Sequence, residues 1–175
     1  MGCVPWANPH NAKFFIRQRV AVTLHYLTRA GSVDDSAKFF GMGNALALRY
    51  IEEVTDIVIQ VIGPRFVCLP RSDGEWQELA DGFERICQFP DACLAVDGTL
   101  LEIERPHDYE GWYCRKGYPA INVQGVVDYK RRFRSYAMRP GAENDKGVFN
   151  RSEFGRTIHQ QLPPNTYFVF FRGDA

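Results

Sequence analysis

The chain has 175 residues, of which 45% are hydrophobic and 14% aromatic, enough for one packed domain or two small ones and too apolar for whole-chain disorder. No run of about 18 apolar residues occurs, so no membrane-spanning helix is expected, and residues 1–11 lack the basic-then-apolar order of a secretory signal. The formal net charge is zero but unevenly spread: residues 1–50 carry six basic and two acidic side chains, residues 51–104 three and twelve, and residues 105–175 twelve and seven. Two mildly basic parts flanking an acidic middle permit nucleic-acid contact at both ends without requiring it.

The five cysteines, Cys3, Cys68, Cys87, Cys93 and Cys114, form no CxxC pair. Their odd number, with no signal segment, reads as reduced thiols in an intracellular, non-secreted protein. The histidines (His10, His25, His107 and His159) stand apart from one another and from any pair of cysteines, so no zinc site is expected.

Residues 12–66 follow a helical pattern. Val20, Leu24 and Leu27 recur at helical spacing, one stripe of a first helix that Gly31 ends. Residues 33–39 predict a short second helix, and Gly41 and Gly43 a tight turn. Residues 45–62 predict a third helix, with Leu48, Ile51, Ile57 and Val58 among its apolar members, stopped by Gly63-Pro64. A short helix, a glycine turn and a further helix make a helix-turn-helix-like outline, in which Asn44 and Arg49 are the side chains placed to meet DNA. A plain helical packing unit fits the same pattern. Residues 67–92 read as a connector with one helix over residues 75–83.

From residue 93 the pattern changes to strands. Residues 93–96 form a short apolar run that ends at Asp97-Gly98-Thr99. In residues 121–127, Ile121, Val123, Gly125 and Val127 alternate with Asn122, Gln124 and Val126, as in a strand. Residues 128–132 read as a polar turn, residues 133–138 as the next strand, 145–160 as a helix and 167–171 as an aromatic strand. Asp97 and Asp174 then stand at the ends of two strands.

Cutting a phosphodiester without a covalent enzyme intermediate needs an activated water and a stabilised leaving oxygen. Two divalent ions about 3.5–4 Å apart supply both. Magnesium prefers carboxylate oxygens, so aspartates converging on one sheet edge suit such a site. Each candidate also has a plainer reading. Asp97-Gly98 is a common turn dipeptide, Asp145 stands where a helix N-cap belongs, and Asp174 lies in a terminal tail.

Four ordered blocks bear on that choice. They are Phe89 to Pro106 (FPDACLAVDGTLLEIERP), Tyr113 to Phe133 (YCRKGYPAINVQGVVDYKRRF), Arg139 to Phe154 (RPGAENDKGVFNRSEF) and Leu162 to Ala175 (LPPNTYFVFFRGDA). Together they resemble the Harbinger/PIF family of DDE transposases and their domesticated nuclease relatives, and residues 21–54 resemble the helical segment that precedes the nuclease there. The resemblance implies a mixed α/β (α+β) chain: a helical DNA-binding region over 1–66, a connector over 67–92, and a partial RNase H-like nuclease domain over 93–175. It also implies a nuclear setting, DNA as substrate, a separate DNA-binding partner protein, and a divalent cation, Mg²⁺ or Mn²⁺. Asp97, Asp145 and Asp174 fall on the family's acidic metal-site positions.

The family's final glutamate lies on a helix beyond the Gly-Asp block, and this chain has no residues there. Asn144 and Ala142 replace a histidine and a serine common in the third block. A truncated nuclease, inactive on its own, is therefore expected. The alternatives are a non-catalytic DNA-binding module and a decayed transposon remnant. Between Arg105 and Arg139 eight Lys/Arg stand against three Asp/Glu, with aromatics interleaved. Arg115, Lys116, Lys130, Arg131 and Arg132 are the candidate phosphate contacts there; a solvated hairpin tip is the plainer reading.

Overall fold

A computed structural model of the chain describes residues 14–29, 31–107 and 111–171. It divides into two compact units, Met1–Arg65 and Phe66–Ala175.

The first unit holds α1 (Ile16–Arg29), α2 (Val33–Phe39), α3 (Asn44–Ile57), a π-helical turn (Val58–Ile62) and the start of α4 (Gly63–Phe66). A capping box starts α2: the Asp35 amide donates to the Ser32 hydroxyl at 3.1 Å, and the Ser32 amide donates back to the Asp35 carboxylate at 3.3 Å. Gly41 turns the chain with φ +63, a conformation glycine takes without penalty. Val22, Ala37, Ala47 and Tyr50 join Phe14 and Met42 in the core.

The buried side of α1 is not the expected stripe. Leu24 and Leu27 are 55% and 56% exposed, and the helix buries Val22 and Thr23 instead. Threonine can occupy a buried position because its hydroxyl donates to the Arg19 carbonyl at 2.9 Å, one turn back in the same helix. The expected helix over 45–62 also differs. It stays α-helical only to Ile57, widens into the π turn, and continues into α4. Proline cannot donate to the preceding turn and crowds its carbonyl. The widened turn ahead of Pro64, closed by the Gly63 amide on the Val58 carbonyl, makes the room.

The second unit is built on a four-stranded sheet of order β3-β2-β1-β4. Its elements are α5 (Asp73–Cys87), β1 (Ala92–Glu102), β2 (Ala120–Val127), β3 (Phe133–Pro140), α6 (Asp145–Arg151), α7 (Glu153–Gln161) and β4 (Tyr167–Phe170). β1 pairs antiparallel with β2 and parallel with β4, and β2 pairs antiparallel with β3. The sheet is therefore mixed. Helix α5 runs further at both ends than the sequence pattern suggested, from its Ser72 cap to Gln88 in the left-handed conformation.

Two corrections bear on the site. Asp97-Gly98 is neither a turn nor a strand end. β1 is an 11-residue strand in which Asp97 pairs with Gly125 and Gly98 with Gln124 in an unbroken ladder. The single helix expected over 145–160 is two, broken at Ser152. The Ser152 backbone is extended (φ −69, ψ 153), and its hydroxyl accepts from the Gly155 amide at 2.9 Å, so it starts α7.

The two faces of the sheet differ. Side chains alternate along a strand, and directly paired residues share a face. On the covered face, Leu94, Val96 and Val126 pack with Phe154 and Ile158 of α7, joined by Trp76 and Leu79 of α5. The other face is closed only at one end, where Phe83 of α5 meets Ala92 and Ala95 with Val127 and Val169 around them. Beyond that it is open among the described residues. Alternation by polarity would turn Ile121, Val123 and Val127 inward. The structure buries the other set, Ala120, Asn122, Gln124 and Val126, and leaves their neighbours half-buried.

Candidate functional site

Asp97 lies on the open face and is exposed. Its Oδ1 accepts from the Gly98 amide at 2.8 Å. The parallel pairing of β1 with β4 ends at Val96 with Phe170, and the Phe171 amide donates to the Val96 carbonyl at 2.9 Å. Asp97 is thus the next residue of β1 past the described end of β4. Across the sheet on the same rung stand Gly125 of β2 and Tyr136 of β3. The Phe133 ring lies against Gly125, with Cε1 2.8 Å from where a β-carbon would be.

Asp145 is held differently. The α6 cap is its neighbour Asn144, whose Oδ1 accepts from the Gly147 amide at 2.8 Å. Asp145 occupies the first turn, and two amides of β2 bind there. Asn122 Nδ2 donates to Asp145 Oδ1 at 3.0 Å and to the Glu143 carbonyl at 2.9 Å, and Gln124 Nε2 donates to the Asp145 carbonyl at 3.1 Å. Asn122 and Gln124 pair with Leu100 and Gly98, so all four belong to the covered face. A β-carbon on Gly98 would come within 2.6 Å of Asp145 Oδ1. Asp145 therefore packs against β1 from the face opposite to the one that Asp97 occupies.

The sequence reading did not single out these two amides as functional. The available signal was a pair of amides at alternate strand positions, where a covered face ordinarily takes valine or isoleucine. Asn122 is only 3% exposed, and its Oδ1 has no hydrogen-bond partner among the described residues. Glu143 Oε1 also lacks a hydrogen bond but lies 3.3 Å from Arg151 Nε in an ion pair. Gly98→Ala is expected to push Asp145 off the strand and loosen the start of α6, at about 1–2 kcal/mol. Urea unfolding measures this, and an unchanged midpoint would refute the close approach.

Among the described residues no group of three His, Cys, Asp or Glu side chains is placed to hold a metal ion. Of the three aspartates expected together, Asp97 and Asp145 sit on opposite faces, and Asp174 lies outside the described residues.

The basic candidates fall in several places. Arg115 and Lys116 are exposed on the loop before β2. That loop is closed by the Cys114 amide on the Tyr118 carbonyl (3.0 Å) and the Gly117 amide on the Cys114 carbonyl (2.9 Å), with Gly117 at φ +83. With Tyr118, Asn122, Asn144 and Asp145 they line a groove of about 310 Å³ on the covered side. Lys130 pairs with Glu78 at 2.8 Å, Arg132 pairs with Asp128 at 2.9 Å, and Arg131 is exposed at the same turn. In the first unit Asn44 Nδ2 donates to Asp34 Oδ1 at 2.9 Å, and Arg49 is exposed. Among the described residues no helix is long and apolar enough to cross a membrane.

No curated protein and no solved structure matches the chain. A family comparison does match, and it covers the segment in which Asp97, Asp145, the basic loop and the open sheet face all lie. Residues 96–173 match the family described as DDE superfamily endonuclease, and in this segment the chain is similar to that family.

Proposed function

We propose that the second unit is a transposase-derived, divalent-metal-dependent DNA endonuclease domain of Harbinger type with an RNase H-like fold. The first unit, with α2, the Gly41 turn and α3, is its helix-turn-helix-like DNA-binding region, and the protein works in the nucleus with a separate DNA-binding partner. One observation carries the reading: within the segment similar to the endonuclease family, an exposed aspartate stands on a rigid central strand, one residue past the described end of its parallel neighbour. Asp174 lies three residues along the chain from Phe171, a reach of at most about 10 Å.

In this reading Asp97 and Asp174 hold the cation. Carboxylate oxygens are the donors that Mg²⁺ and Mn²⁺ prefer, and among the described residues the exposed Asp97 carboxylate accepts one hydrogen bond, from the Gly98 amide, which leaves it lone pairs for an ion. Asp145 packs on the other face and serves to seat α6. When bound, the cation supplies an activated water and neutralises charge on the leaving oxygen. The strand fixes where Asp97 presents its oxygens. Two carboxylates leave an ion under-neutralised, so the isolated chain is expected to bind metal and to nick DNA at no more than background.

Manganese binding followed by electron paramagnetic resonance tests this. Asp97→Asn is expected to weaken binding roughly tenfold, the loss of one charged ligand at about 1.4 kcal/mol. Equal binding by wild type and Asp97→Asn would sink the site. Plasmid nicking with Mn²⁺ that vanishes in Asp97→Asn would instead show the two carboxylates to be sufficient. A non-catalytic duplex-binding role is the second reading, favoured by the exposed Arg115 and Lys116 at the groove. It requires affinity for duplex that falls steeply with salt and is unaffected by Asp97→Asn.

A further inference from the structure

We infer that the open sheet face around Asp97 is a stacking platform for unpaired bases of single-stranded DNA. The inference rests on the nuclease reading in placing a cut strand at Asp97. Its geometry begins with Gly125, which puts no side chain between Asp97 and Tyr136 on their common rung. The Phe133 ring fills that gap. Phe133 and Tyr136 are 54% and 52% exposed. Two rings therefore lie open to water beside the carboxylate, on a face that no helix among the described residues covers beyond Phe83.

Three features favour one occupant. Rings on a flat sheet can reach only bases whose faces are free, because duplex bases are already stacked on one another. The turn that leads into Phe133 carries Lys130, Arg131 and Arg132, all exposed, which suits a phosphate backbone leaving the platform. A second copy of the chain docked face to face over Asp97 would take its charge out of water without supplying an opposite one from this face. A base face carries no charge and meets no such penalty.

The test is fluorescence anisotropy with the full chain, at low salt and in EDTA, using short labelled oligothymidylate and a labelled duplex. Wild type is expected to prefer the single strand. The double variant Phe133→Ala/Tyr136→Ala is expected to lose roughly tenfold in single-strand affinity, the low end of the range for stacked bases, with duplex affinity unchanged. Tyr136→Phe, which keeps the ring, is expected to bind as wild type. Both side chains are half exposed, so the variants should fold, and circular dichroism checks that they do. Unchanged single-strand binding by the double variant would overturn the platform, as would a wild-type dimer in sedimentation that the double variant abolishes. EDTA removes the metal from the readout, so failure here leaves the Asp97 site standing and loss of manganese binding leaves the platform standing.

Discussion

Asp128→Asn is expected to remove about 3 kcal/mol of stability, the lower part of the range for breaking a buried charge pair. The Asp128 side chain is 0% exposed. Its Oδ1 accepts from the Lys130 and Arg132 amides at 2.8 and 3.0 Å, and its Oδ2 from Arg132 Nε and Arg134 Nε at 2.9 and 3.0 Å. Asparagine would turn an NH₂ toward two guanidinium groups or toward two amides, and both sets are donors. Burial pushes the carboxyl's pKa up, but the Arg132 amide and guanidinium and then Arg134 outweigh it, and the net shift is down from 3.8. A lowered folded-state pKa stabilises the fold at pH above the unfolded value, and that contribution is lost as pH falls through the folded value. The stability gap between wild type and Asp128→Asn, from urea unfolding at a series of pH values, should therefore be full near neutrality and close in acid. A gap that does not change with pH would show that the charge is not what Asp128 contributes.

Gly155→Ala is expected to cost about 3 kcal/mol, the upper end for inserting a methyl group where none fits. The β-carbon would strike the Phe149 carbonyl oxygen. That oxygen is tucked into the first turn of α7, where it accepts from the Ser152 hydroxyl at 2.7 Å and the Ser152 amide at 3.1 Å. Backbone cannot swing aside as a long side chain can. The corner between α6 and α7 must open, which lifts the buried Phe154 and Ile158 from the sheet. Urea or thermal unfolding by circular dichroism reads the loss, and a wild-type midpoint would contradict the close contact.

Local chemistry explains which elements were legible. Helix α2 could be placed to the residue because punctuation at both its ends comes from nearest neighbours: the Ser32-Asp35 box and the Gly41 turn. The β2–β3 hairpin was legible for the same reason, since Asp128 organises its own turn. Asp97-Gly98 misled because turn propensity is a property of the dipeptide, whereas the strand is decided by Gln124 and Gly125 across the ladder and by Asp145 packed on Gly98. In α1 the stripe of Val20, Leu24 and Leu27 was a true periodicity, yet Thr23 meets its own hydrogen-bond needs and takes an inward position that polarity denied it.

The aspartates were picked out by residue type and by the resemblance of their blocks to a family, but their faces depend on parity. Once β1 is known to run through Asp97 without a break, Asp97 and Gly98 must point apart, and Asp145, which packs on Gly98, must part from Asp97. No count of residues along the chain contains that step, because it needs the register of β1 on β2.

That register has an unusual guardian. Hydrocarbon side chains beneath α6 would tolerate a strand sliding by two positions, since one oily residue replaces another at little cost. Directional donors do not. Were β2 to slide, the amides of Asn122 and Gln124 would miss the carbonyls and carboxylate at the head of α6 and lie dehydrated against nothing. The alignment of β2 beneath α6 is thus keyed like a lock rather than merely glued, and the position of the exposed carboxylate on β1, the strand paired with β2, is inherited from two side chains on the far side of the sheet.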